Sequence, residues 1–187
     1  MKIISGSLRG FIIPTVKNAK YRPSTGKFKE AMFSILTSSH VLKDKIVLDL
    51  FAGTGSLGFE ALSRGAKHAT FVDINSTNLN TAKSFAEKHK IMDRTNFMVA
   101  DSTNLILTEL KYDVVFLDPP YGNNIVEKAL ASLHKAQWLN SYAVIVIEVG
   151  AREEVNLPDW CELVEERVYG GSKMIIVRWR REGDSNP

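Results

Sequence analysis

Apolar positions fall in two alternating patterns along this chain. Short runs of strand length occupy residues 46–51, 69–73, 97–100, 113–118 and 143–149, and their apolar residues are dense enough to be buried on both faces. Between them the spacing changes to the three-to-four residue period of helices. Ser24 or Thr25 can cap a first helix whose apolar face is Phe28, Met32, Ile35 and Leu36 and which ends near Ser38 and Ser39. A second helix follows the glycine turn at 52–58 and stops at Gly65. A third, over 76–88, buries Leu79, Ala82 and Ala86. A short one is expected near Leu105, and another from Asn124 buries Val126, Ala129, Leu130 and Leu133. Beyond the fifth strand, 162–168 and 174–180 flank Tyr169-Gly170-Gly171-Ser172 with no room for a helix, which predicts a hairpin. The expected fold is α/β: a doubly wound, mostly parallel, seven-stranded sheet, ending in an antiparallel hairpin at one edge and preceded by a basic N-terminal extension.

Composition adds bounds. A chain of 187 residues, 44% hydrophobic, makes one globular domain, divided here into a basic extension with its helix (1–40), the sheet domain (41–182) and a polar tail (183–187). Neither a signal peptide nor a membrane span is visible, so a cytoplasmic location is expected. Cys161 is the only cysteine, and His40, His68, His89 and His134 lack ligand spacing; no metal is expected. Charge is uneven. Residues 1–29 carry Lys2, Arg9, Lys17, Lys20, Arg22, Lys27 and Lys29 and no acid, +7 against +3 for the whole chain, which leaves −4 for the remainder. With Phe11 and Tyr21 interleaved, this arm suits a polyanion such as RNA, whereas Ile3, Ile4, Ile12 and Ile13 could pack it on the sheet.

Two stretches carry chemistry. In a doubly wound sheet the strand order reverses between the first and fourth strands, and ligands bind outside the carboxyl ends there. Gly53-x-Gly55-x-x-Gly58 follows the first strand: Gly53 and Gly55 admit close backbone approach, and Gly58 lets the helix pack on the strand. Asp73, twenty residues after Gly53, can accept both hydroxyls of a ribose, and Asp101 can receive an adenine amino group. These residues predict an adenosine compound. Across the cleft, Asp118-Pro119-Pro120-Tyr121 ends the fourth strand: the Asp118 carboxylate and the Pro119 carbonyl can accept the two N–H groups of an exocyclic amine, and Tyr121 can stack on its base. The glycine spacing alone also fits a nicotinamide dinucleotide. Asp49, inside the first strand and suited to an α-amino group, and the Asp118 corner, idle in hydride transfer, argue against it.

Residues 47–58, residues 59–66 and Asp118-Pro-Pro-Tyr121 resemble the S-adenosylmethionine-dependent methyltransferases that modify exocyclic amines, with their Rossmann-like fold. The chain is more closely similar to the family that methylates N2 of a guanine in bacterial 16S ribosomal RNA. Ile4-Ser-Gly-Ser-Leu-Arg-Gly10, Arg22-Pro-Ser-Thr25 leading to Lys29-Glu30, and Tyr169-Gly-Gly-Ser172 echo its terminal signatures, and the likeness runs from about Ile3 to Arg180. The family pattern commonly has an acid where Gly26 stands and arginines at Lys27 and Lys29. The resemblance implies S-adenosyl-L-methionine as cofactor, held by Asp49, Phe51, Gly53, Gly55, Asp73, Ile74, Asp101 and Ser102. It implies catalysis by Asp118, Pro119 and Tyr121, and RNA contacts at Arg9, Lys17, Lys20, Arg22, Thr25 and Lys27. The expected substrate is guanine 966 of 16S RNA, free or in an assembling 30S particle, and the expected enzyme is a monomer. A DNA adenine amino-methyltransferase and a non-catalytic RNA-binding relative are the alternatives.

Overall fold

The computed structural model describes residues 1–15, 26–120 and 124–180. Seven strands form one sheet in the order β3-β2-β1-β4-β5-β7-β6. Strands β1 (Ile46–Asp49), β2 (His68–Asp73), β3 (Thr95–Val99), β4 (Tyr112–Leu117) and β5 (Leu139–Gly150) are parallel, whereas β7 (Ser172–Trp179) runs antiparallel between β5 and the edge strand β6 (Cys161–Tyr169). The reversal between β1 and β4 and the closing hairpin are as the pattern predicts.

Alternation along the strands divides the core. Val47, Phe71 and Phe116 point to one face, where α1 (Gly26–Ser38), α2 (Ser56–Ser63) and α3 (Ser76–Lys88) cover them. Leu48, Val115 and Ile145 point to the other, against α4 (Ile125–Lys135) and Trp138. Gly58 packs α2 on β2: a Cβ there would stand 2.3 Å from the Phe71 ring.

Residues 1–13 fold back on themselves, with Lys2 bridging Ile12 and the Ile3 N–H donating to the Phe11 carbonyl at 3.0 Å. Ile3, Leu8 and Ile13 are buried in the same cluster as Val47 and Phe59; Ile12 stays 71% exposed. The turn of this segment sits on the end of α2: Ser7 N–H donates to the Ser63 carbonyl at 2.8 Å and Leu8 N–H to Ser63 Oγ at 2.9 Å. Gly6, with φ of 85°, lies where a Cβ would be 1.8 Å from that carbonyl.

Two expectations are corrected and one element is added. The short helix near Leu105 does not form, because side chains from across the interface take its backbone groups: Leu105 N–H donates to Ser132 Oγ at 2.7 Å and Trp138 Nε1 donates to the Ile106 carbonyl at 2.7 Å. A 3-10 turn at Met92–Arg94 adds an element that the apolar pattern does not signal. Lys29, counted with the surface charge of the arm, is buried. Its ammonium lies 3.4 Å from Glu60 and donates to Ser56 Oγ at 3.0 Å, and burial holds its pKa below the ordinary lysine value. Ser24, Thr25 and the tail 183–187 lie outside the described residues. No helix among the described residues is long and apolar enough to cross a membrane.

Gly6→Ala should lower the unfolding free energy by about 1–3 kcal/mol, since it adds both a positive-φ penalty and a clash with a backbone carbonyl. Denaturant unfolding with an unchanged midpoint would show that the segment docks less tightly than its hydrogen bonds indicate.

Candidate active site

A cleft of about 720 Å³ opens at the carboxyl ends of β1, β2, β3 and β4. Strand register explains what it contains. Asp49 pairs with Phe71 on one side and Phe116 on the other, so Phe51, Asp73 and Asp118, each two residues further on, stand level across three adjacent strands. At about 4.8 Å per strand, Asp73 and Asp118 are roughly 10 Å apart across the opening. Phe51, Gly53, Ile74, Asp101, Ser102 and Pro119 line the same cleft.

Each carboxylate is held differently. Asp73 accepts from Gly53 N–H at 2.7 Å through one oxygen and from Asn75 N–H at 2.7 Å through the other. It thereby fixes the glycine turn, where Gly53 has φ of 54°, and leaves further lone pairs toward the cleft. Asp49 is buried and accepts from Gly58 N–H at 2.8 Å; desolvation raises its pKa to about 7 against the pull of that bond, with the Asp73 charge adding to the rise. Asp101 is exposed; its bonds from the Thr103 hydroxyl and N–H hold its pKa below the ordinary value, so it stays ionised. The Ser102 hydroxyl donates to the Leu50 carbonyl at 2.8 Å, so it ties the β3 loop to β1 and leaves a ligand its acceptor lone pairs and its backbone. Asp118 is half-buried and Pro119 buried behind it.

Gly55 does not line the cleft. Its left-handed backbone, φ of 85°, turns the chain into α2, and a Cβ there would meet Phe59 at 2.7 Å. Arg9 is exposed at the far end of α2, about 12 Å from the cleft by the rise of that helix, and Lys27 is exposed at the start of α1. Tyr121, Lys17, Lys20, Arg22 and Thr25 lie outside the described residues. The sequence pattern does not single out Thr54, Asn78, Ile125 or Lys128, all of which line the cleft. Ile125 and Lys128 are signalled only by their three-residue spacing on α4; Thr54 sits between the two glycines, and its buried hydroxyl has no partner among the described residues. Among the described residues no group of three or more His, Cys, Asp or Glu side chains could hold a metal ion.

A parallel sheet with this order, a carboxylate-pinned glycine turn and an acidic Pro-Pro corner across one cleft define the Rossmann-like methyltransferase class. The chain belongs to the family described as Conserved hypothetical protein 95, whose model matches residues 1–178. It is 36% identical to an uncharacterized methylase of Rickettsia prowazekii, over 96% of this chain and 98% of that one. It is 33% identical to ribosomal RNA small subunit methyltransferase D of Haemophilus influenzae, over 91% and 89%. The solved structure of yhhF from Escherichia coli superposes with a TM-score of 0.85, at 27% identity over 96% of this chain and 98% of that one.

Since the folded pKa of Asp49 lies above the usual 3.8, folding takes up a proton between about pH 4 and about pH 7. That contribution to stability is complete below pH 4 and is lost as pH rises through 7. Asp49→Asn should therefore flatten the fall in stability of the ligand-free protein between pH 5 and 8, as followed by denaturant unfolding at each pH. An unchanged slope would assign the dependence to other groups.

Proposed function

We propose that the protein transfers a methyl group from S-adenosyl-L-methionine to the N2 amine of a guanine in small-subunit ribosomal RNA, guanine 966 being the expected position. The observation that carries this reading is the level placement of Asp73, with its pinned glycine turn, and the Asp118-Pro119 corner on opposite sides of one cleft. The names of the curated relatives, ribosomal RNA small subunit methyltransferase D among them, support it.

The residues present fit the cofactor. Asp73 retains acceptor capacity for a ribose, Asp101 is an ionised acceptor for an adenine amine, and Thr54, whose buried hydroxyl has no partner among the described residues, lines the cleft beside them. Asp49, beside the turn, would give up its proton as the cationic α-amino group approaches. When bound, the cofactor supplies an electrophilic methyl on a cationic sulfonium. The chain's own work lies on the acceptor side. A ring amine is a weak nucleophile because its lone pair is delocalised; two acceptors aimed at its N–H bonds favour the rehybridised nitrogen and hold the lone pair in line with the methyl. Asp118 and the Pro119 carbonyl take that role, with Tyr121 stacking on the base. The base must leave its stack to reach them. Thr25, Lys27 and the cations at 17, 20 and 22 would guide the RNA.

Labelled S-adenosylmethionine incubated with unmethylated small-subunit particles should yield N2-methylguanosine. N6-methyladenosine, or no transfer to any RNA, would sink the reading. Calorimetry should show S-adenosylhomocysteine binding without NAD binding, and Asp73→Ala should weaken it by about 1–3 kcal/mol. Asp118→Ala should keep fold and cofactor affinity yet lose roughly a hundredfold or more in rate; near-normal turnover would move the chemistry elsewhere.

A further inference from the structure

The edge of the sheet opposite the cleft carries a second concentration of charge. Ile46 pairs with His68 and Ala69 with Thr95, so Lys45 and Lys67, just before β1 and β2, stand side by side, and Arg94, just before β3, is level with His68, one residue further along the row. The backbone binds the row together: Lys67 N–H donates to the Lys45 carbonyl at 2.8 Å, and Arg94 donates to the carbonyls of Lys67 at 3.4 Å, Leu62 at 3.1 Å and Ala66 at 2.6 Å. Arg94 is thus spent on the end of α2, whereas Lys45 and Lys67 are exposed and without an ion pair among the described residues. Beside them, at the end of α3, Lys88 and Lys90 flank His89. The Phe11 ring, 40% exposed, lies on that imidazole with centroids 4.1 Å apart and planes 23° from parallel.

We infer that this edge is a second RNA-docking face, which holds a segment of the substrate RNA other than the one that carries the methylated base. The inference rests on the RNA reading above. Arg9, Lys43, Lys45, Lys67, Lys88 and Lys90 are exposed here against Asp44, Glu87 and Asp93, while the cleft edge presents Asp49, Asp73, Asp101 and Asp118. Among the described residues the cleft sets only the Met1 ammonium and Lys128 against those four acids, so a polyanion draws part of its affinity from elsewhere on the surface, and a basic protein would be repelled by this face. The flat Phe11-His89 pair amid cations is suited to a base and its phosphates, since every base has a stackable face. From Lys45 to Phe51 the strand spans about 20 Å, so the two faces meet parts of a folded RNA that are distant from each other.

The test is a Lys45→Glu/Lys67→Glu/Lys90→Glu variant, assayed on unmethylated small-subunit particles and on a short RNA stem-loop carrying only the target guanine. KM for particles should rise about tenfold or more, with kcat and S-adenosylhomocysteine affinity unchanged and KM for the stem-loop unmoved. The salt dependence of particle affinity should flatten by about 0.7–0.9 for each phosphate that the variant no longer neutralises. If the stem-loop does not turn over, its affinity by fluorescence anisotropy serves for the comparison. An unchanged particle KM in a folded variant, or an equal loss on both RNAs, overturns the inference. If the triple variant fails to fold, the Lys→Gln triple must reproduce a smaller rise in particle KM, and no rise in that variant counts against the face. Failure of the unaltered protein to methylate any RNA would instead overturn the reading beneath it.

Discussion

Glu60 is fully buried in the middle of α2, and four groups from three parts of the chain converge on it. Ile4 N–H donates to one of its oxygens at 2.8 Å with the Lys29 ammonium 3.4 Å away; Ser5 N–H at 3.1 Å and the Arg64 guanidinium at 2.7 Å meet the other. A carboxylate in this position is tolerated only because every lone pair is answered, and the removal of any one partner leaves charge stranded in a low-dielectric core. One side chain therefore fixes the N-terminal segment, α1 and the helix that opens at the cleft. Lys29 extends the network to Ser56, the first residue of that helix, and its charge also lowers the proton affinity of Asp49. The glycine turn is held from behind by this polar core and from the side by Asp73.

Such a network is hard to read from residue types. Lys29 counts as +1 in any charge tally, yet its ammonium faces Glu60; a basic run of seven thus overstates the surface charge of the arm. Glu60 itself gives no signal, since a lone acid in a helix after a glycine turn reads as solvated. The helix near Leu105 fails for a related reason. Its spacing of apolar residues is helical, but the hydrogen-bond partners that decide the backbone, Ser132 and Trp138, lie far along the chain. The first four residues of β5 read as a loop because Asn140, Ser141 and Tyr142 interrupt the apolar run, and only pairing of Tyr112 with Leu139 makes them strand.

What is legible is what local geometry forces. Gly58 and Gly55 stand where a Cβ would strike Phe71 and Phe59, so their spacing records contact between helix and strand and survives any ligand assignment. Gly55 reads as a cofactor contact by its place in the motif, and the turn into α2 requires a glycine there independently of any ligand. Asp49, Asp73, Asp101 and Asp118 are legible because a carboxylate at the carboxyl end of a buried strand has no packing role to explain it. Their environments are not: burial separates Asp49, with a pKa of about 7, from Asp101, which local hydrogen bonds keep ionised.

The separation of charge follows from the same topology. In a parallel sheet every strand ends on the same side, so acidic groups that serve a ligand gather at one edge, and the helix carboxyl termini gather at the other. Lysines near α2 and α3 termini complement the partial negative charge of those helix ends. The topology thus sets the acidic cleft and the cations of the opposite edge on separate sides of the sheet. An enzyme of this architecture that acts on a polyanion must draw the substrate to the cleft with cations the sheet itself does not place there. The described cations at that edge come from outside the sheet: the N-terminal ammonium of Met1, held by the Ile13 carbonyl, and Lys128 on α4, while Lys29 of α1 reaches Ser56 at the cleft rim.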